Sequence, residues 1–360
     1  MRNGQIIIDA DAHVFDVDAV YRKWLPERYR ARPSIFAGGD GFDRGQGGNS
    51  VFLKYSRAES SAEQNIADMD SAGIDVQVLY PTSALGFTKL RERDYCFALA
   101  QAYNEWMHDR CSVNPQRLRG MAIVPLHVDV QEAIKEAERA VSKLGLAGVV
   151  LCTYYRGRHV AHQDFWPFYE ECNRLGIPVA IHGAGTDWLD AVLNFDTFLG
   201  IHTFSHAPQQ IIACIAMMYS GILERCPDLR IAFLEAGAGW VPYWMERMDG
   251  EWARRKWDAP DLKMAPSEYM KSGRVYVSCE PDERSLPYVI QEFGDDALLY
   301  PSDYPHHDSS FVESVAEIAG RTDISEASRR KILFDNPQRF YGFKVDTARF
   351  APAPVAARSS

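Results

Sequence analysis

Near the start of the chain, Ile6-Ile7-Ile8 runs into Asp9-Ala10-Asp11-Ala12-His13. The spacing puts Asp11 and His13 two residues apart, just past the end of a short strand. Residues two apart on extended chain project to one side. A carboxylate and an imidazole leaving a strand's carboxyl end together occupy the place where α/β barrels keep their chemistry. Three more apolar runs end in similar residues. Residues 178–181 run into His182, 230–234 into Glu235, and 297–300 into Ser302-Asp303-Tyr304-Pro305-His306. In a closed barrel these ends form one ring, so Asp11, His13, His182, Glu235 and Asp303 meet at one mouth. Two imidazoles with carboxylates suit a divalent transition ion. Such an ion polarises a carboxylate or carbonyl, or lowers the pKa of water toward about 7.

These residues need a scaffold that brings distant strand ends together. Eight short apolar runs recur along the chain, at 6–8, 76–80, 121–125, 148–152, 179–182, 231–235, 275–279 and 298–300. Most are rich in Val, Ile or aromatic residues, as strands buried on both faces are. Between them, helical periodicity runs over 61–72, 95–112, 130–144, 166–175, 209–224 and 325–335. Gly73, Gly145 and Gly176 stand where helices stop, and Ser325 where one starts. Strand and helix in alternation predict a (β/α)8 barrel. A doubly wound open sheet fits less well, since no G-x-G-x-x-G or phosphate-binding loop follows any strand. Residues 1–345 read as one domain. Residues 33–55, rich in Gly and Asp, form an insertion after the first strand, placed to act as a lid or to make a subunit contact. Residues 346–360 read as a flexible tail.

Composition narrows the partners. The formal net charge is −10 and no basic run stands out, which argues against nucleic acid or an anionic membrane. An acidic substrate therefore needs a local cation. Seven cysteines occur without a C-x-x-C pair and read as reduced thiols rather than a disulfide frame. With no signal-peptide pattern and no membrane-spanning run, a cytoplasmic location is expected.

Together, Asp11-x-His13, His182 and Ser302-Asp303-Tyr304-Pro305-His306 resemble the amidohydrolase superfamily, in its branch related to aminocarboxymuconate-semialdehyde decarboxylase. Ala102-Tyr103-Asn104-Glu105-Trp106, residues 220–229 and Gly239-Trp240-Val241-Pro242 fit as well, and the resemblance covers residues 5–343. It implies a distorted barrel with one catalytic divalent ion, Zn2+ or Mn2+. It also implies that Asp11, His13, His182 and Asp303 are the ligands, and that the chain forms a homodimer or homotetramer. The activity implied is non-oxidative decarboxylation of a small aromatic or unsaturated carboxylic acid. Hydrolysis of a C–C, ester or amide bond by metal-activated hydroxide is the alternative, and an inactive binding protein a third reading. Two residues depart from the pattern. Asp11 stands where many characterised decarboxylases of the branch have His or Glu, and a carboxylate there still suits a metal. Glu235 falls where the family usually has a catalytic His, so it could serve as base, acid or extra ligand. His206, in Phe204-Ser205-His206-Ala207-Pro208, could supply the imidazole. Glu235, His206 and Asp303 are thus the catalytic candidates. Phe15, Tyr154, Trp188, Trp240, Tyr304 and His306 lie near predicted strand ends or their loops and are candidates to line the substrate pocket.

Overall fold

The computed structural model describes residues 5–16, 18–32, 61–155, 157–183, 195–306, 309 and 311–350. The expected insertion 33–55, Trp188 and residues 351–360 lie outside these. Eight parallel strands follow one another around the sheet in chain order. They are β1 (Ile8–Val14), β2 (Val76–Pro81), β3 (Leu118–Ile123), β4 (Gly148–Cys152), β5 (Val179–His182), β6 (Ile231–Phe233), β7 (Val275–Ser278) and β8 (Leu298–Leu299). Backbone bonds join the two ends of the row. Ala10 N–H donates to Tyr300 O at 2.8 Å, and Ser302 and Asp303 N–H both donate to Asp11 O. A helix follows each strand: α1 (Ala62–Ala72), α2 (Arg93–Ser112), α3 (Val130–Ser142), α4 (Trp166–Leu175), α5 (Phe198–Tyr219), α6 (Val241–Arg254), α7 (Leu286–Glu292) and α8 (Phe311–Gly320). The molecule is a (β/α)8 barrel, as the alternation predicts.

Local signals fix several helix ends, although the helix before Gly145 already stops at Ser142 with Lys143 as its cap. Ser61 caps α1 by accepting Gln64 N–H at 3.2 Å, and Gly73 ends that helix at φ 80°. Asp129 caps α3, and Gly176 ends α4 at φ 67°. The barrel strands are buried on nearly every residue, because the strand faces point either into the barrel or against the helices. Among the described residues no helix is long and apolar enough to cross a membrane. All seven cysteines are buried, and none is joined in a disulfide.

Four stretches differ from expectation, and helices α6, α7 and α8 form where none was predicted. Strand β1 runs on through Val14, so Asp11 and His13 sit inside it rather than past its end. Asp and Ala are poor strand formers, but pairing to β2 on one side and the closing bonds on the other hold them extended. Helix α5 begins at Phe198, eleven residues before the expected start, and runs through Pro208. Proline removes one helical hydrogen bond, so it reads as a boundary. Thr197 is the actual cap, accepting Gly200 N–H at 3.2 Å. The expected helix over 325–335 is α-helical only over Glu326–Arg330 and continues as a π-turn over Lys331–Asp335. Of residues 346–360, Thr347–Phe350 form a short 3-10 helix.

The amino end of the barrel is tightly packed. A Cβ on Gly148, at the start of β4, would meet Pro178 O at 2.7 Å and Met121 Cε at 3.0 Å. Gly148→Ala is therefore expected to lower stability by about 1–3 kcal/mol, seen as a lower denaturant midpoint. An unchanged midpoint would show that Pro178 can move aside.

Candidate metal centre

The carboxyl ends of β1, β5, β6 and β8 converge as the sequence requires. Asp11 and His13 both point into the mouth, since they lie two apart on extended chain. His182 is the last residue of β5. His13 Nε2 lies 3.1 Å from His182 Nε2, 3.6 Å from Asp11 Oδ1 and 3.4 Å from Asp303 Oδ1. His182 Nε2 lies 3.9 Å from Asp11 Oδ1. Donors bound at about 2.0–2.2 Å to one ion stand roughly 3–3.6 Å apart, so this spacing fits a single ion with little adjustment. Two overlapping groups carry ligand atoms within 4.8 Å of one another: Asp11 with His13 and His182, and His13 with Glu235, Asp303 and His306.

The electrostatics match that use. His13 Nδ1 lies 3.0 Å from Pro81 O, so its proton belongs on Nδ1 and the Nε2 lone pair faces the cluster. Burial pushes the His182 imidazole down to about 3, against a raising contribution from the Gly183 carbonyl. His13 is likewise held well below its ordinary value, first by burial and then by His306 and His182. Both rings are thus neutral, the form that binds metal. Asp11 is pushed well above the usual carboxylate range, first by burial and then by the charges of Asp303, Asp9 and Glu280. Its Oδ1 is buried and accepts no hydrogen bond, a costly state for a polar atom. A cation among these groups removes both penalties.

Glu235 and Asp303 share a backbone feature. They are the two non-glycine residues described with positive φ, at 58° and 54°. Holding such a conformation costs about 1–3 kcal/mol, and both side chains turn toward His306. His306 Nδ1 lies 2.7 Å from Asp303 Oδ1 and 3.7 Å from Glu235 Oε1. Glu235 Oε2 lies 3.3 Å from His182 Nδ1 and 3.6 Å from His206 Nε2. Gly183 leaves the room: a Cβ there would stand 3.3 Å from His206 Cδ2 and 3.5 Å from Glu235 Oε2.

The expected lining divides. The Phe15 ring lies 6.1 Å from that of His306, and the His306 ring lies against that of His13, tilted by 30° with centroids 4.1 Å apart. His306 therefore belongs to the cluster itself, not only to its wall. Tyr304 is turned away from it. Its hydroxyl donates to Asp68 Oδ2 on α1 at 2.5 Å and its ring packs on Phe311. Trp240 is tied to its own loop, with Nε1–H donating to Gly237 O at 2.8 Å. Tyr154 lies on a two-residue ribbon paired with Arg158–His159. Trp188 is outside the described residues.

Sequence reasoning passed over Thr82. Its Oγ1 lies 3.1 Å from His306 Nε2. Asp16 holds the segment in place, accepting the N–H groups of Thr82, Ser83 and Ala84 at 2.8 Å each. The available signal was its position just past the second strand.

A family model described as amidohydrolase matches residues 8–343. The gamma-resorcylate decarboxylase of Polaromonas sp. is 24% identical over 295 residues, covering 79% of this chain and 89% of that protein. The 6-methylsalicylic acid decarboxylase of Penicillium expansum is 32% identical over 240 residues, covering 65% of this chain and 72% of that protein. Among solved structures, 5-carboxyvanillate decarboxylase from Novosphingobium aromaticivorans, with bound manganese and 3-methoxy-4-hydroxy-5-nitrobenzoic acid, superposes with a TM-score of 0.73 at 22% identity, covering 95% of this chain and 98% of that one. That likeness concerns the fold. With the family match spanning nearly all of the barrel and its metal-competent mouth, the chain belongs to the amidohydrolase family.

Proposed function

We propose that this protein is a divalent-metal-dependent, non-oxidative decarboxylase of a small aromatic or unsaturated carboxylic acid. The observation that carries the reading is the buried donor group of Asp11 Oδ1, His13 Nε2 and His182 Nε2, with Asp303 Oδ1 3.4 Å from the shared His13 Nε2. Curated relatives that act on hydroxylated benzoic acids support it. Asp11, His13, His182 and Asp303 would hold the ion, Mn2+ or Zn2+. When bound, the ion supplies positive charge against the substrate's carboxylate and neighbouring oxygen.

The protein's own residues do the rest. Loss of CO2 leaves an electron pair on carbon, and a proton must replace the departing group. Asp303 is placed to deliver it: its side chain is 25% exposed at the mouth while its Oδ1 touches the cluster. His306 Nδ1, beside that oxygen, is placed to return a proton to Asp303 after turnover. The Phe15 ring gives a planar acid an apolar surface next to these groups.

The test is CO2 release from a panel of hydroxylated benzoic acids, with elemental analysis before and after chelation. The expected result is about one divalent ion per chain, with CO2 release lost on chelation and restored by Mn2+ or Zn2+. A metal-loaded protein that releases no CO2 but cleaves esters, amides or diketones would replace this reading with hydrolysis.

A further inference from the structure

Asp9 stands two residues before Asp11 yet serves a different layer. In the β1–β2 pairing Asp9 faces Gln77 and Ala12 faces Leu79, three steps on one strand against two on the other. The extra residue is a β-bulge, which changes the alternation of side chains along the strand. Asp11 therefore turns into the mouth, while Asp9 turns outward toward Gln77 and is fully buried.

Four donors converge on the Asp9 carboxylate. Oδ1 accepts Ser302 N–H at 2.9 Å and Asp11 N–H at 3.3 Å, and Oδ2 accepts Ser302 O–H at 2.5 Å and Gln77 Nε2–H at 2.9 Å. One of these donors is the amide of Asp11. Two belong to Ser302, the neighbour of Asp303. Asp9 thus ties together the two segments that carry the Asp11 and Asp303 carboxylates. It contributes no atom to either donor group at the mouth.

The tie is itself braced from outside. Asn65 Nδ2 on α1 donates to Gln77 Oε1 at 2.6 Å, which leaves the Gln77 nitrogen to face Asp9. Arg110 on α2 donates to Asn65 Oδ1 at 2.8 Å. A chain of side-chain amides therefore fixes Asp9 from the helical layer. Residues that orient ligands in this way tune metal affinity without touching the ion.

We propose that Asp9 is a positioning residue: it sets the separation of the Asp11 and Asp303 carboxylates and through it the affinity for the ion. The proposal rests on the metal-dependent reading above. Asp9→Asn keeps the side chain's shape but turns one acceptor into a donor, so a Ser302 or Gln77 donor loses its partner.

The experiment is titration of the purified chain with Mn2+, following free ion by electron paramagnetic resonance. Asp9→Asn is expected to weaken Mn2+ binding about 10- to 100-fold while keeping a native circular dichroism spectrum. Ser302→Ala, which removes one of the four donors, is expected to weaken it less, and it carries the test if Asp9→Asn does not fold. Gly148→Ala is the control, since it disturbs the opposite end of the barrel. Its thermal midpoint falls with Mn2+ affinity unchanged. Wild-type affinity in Asp9→Asn, or in Ser302→Ala where that variant carries the test, overturns the proposal, as does an equal loss in Gly148→Ala. A wild-type chain that binds no Mn2+ overturns the metal-dependent reading itself, and this inference with it.

Discussion

His182→Ala is expected to bind Mn2+ about two orders of magnitude more weakly than the natural chain and to release no CO2 above background. The size follows from the ligand count. Four protein ligands sharing an apparent binding free energy of about 10–16 kcal/mol contribute on the order of 3 kcal/mol each. His182 is poorly replaced, because its side chain is 1% exposed and water does not reach its place freely. Its Nδ1 faces the Gly183 carbonyl and Glu235 Oε2, and its Nε2 faces His13 and Asp11, so the variant also frees the Glu235 carboxylate from one neighbour. Asp303→Ala should behave alike in metal content, and it also removes the proton donor. Elemental analysis after dialysis reads both variants directly. Full metal content in either one would mean that the ion sits elsewhere.

Glu235→Gln is expected to lower kcat by about 100- to 10,000-fold, the usual weight of a positioned acid or base, while about one ion per chain remains bound. Glutamine still presents an oxygen to His182 Nδ1, now 3.3 Å from Glu235 Oε2, so the ligand's tautomer survives. What it cannot do is carry a proton between His206 and His306, which lie 3.6 Å and 3.7 Å from the two carboxylate oxygens. Measuring kcat and metal content on the same preparation separates the possibilities. Loss of the ion would make Glu235 a ligand. Unchanged turnover would leave it a spacer between imidazoles.

The sequence was legible where one residue type does one local job. Gly73 and Gly176 stop helices, Ser325 starts one, and apolar runs such as 275–279 lie in barrel strands because both strand faces are covered. His182 was singled out by its company, since a lone His at the end of a buried run has a bland reading and only the set of polar residues at four strand ends points to a mouth. Legibility failed where a distant partner decides the outcome. Asp9, Asp11 and His13 alternate in the sequence as if on one face, and only the pairing with β2 reveals the extra residue that splits them. Pro208 looked like the start of a helix because its missing donor is a local property, whereas the Thr197 cap lies well upstream. Tyr304 looked like pocket lining because it stands beside Asp303; its hydroxyl is directed by Asp68, far away in sequence. Thr82 carries no motif at all, and only the fold sets it against His306.

The left-handed backbone at Glu235 and Asp303 bears on how such a chain can change over generations. Glycine is the one residue that adopts that conformation without strain. At either position a change to glycine would relax the backbone and, in the same step, delete a carboxylate from the mouth. Mutational drift toward a more stable barrel and drift toward an inert one therefore run along the same path here. Only continued demand for the chemistry keeps the chain from taking it.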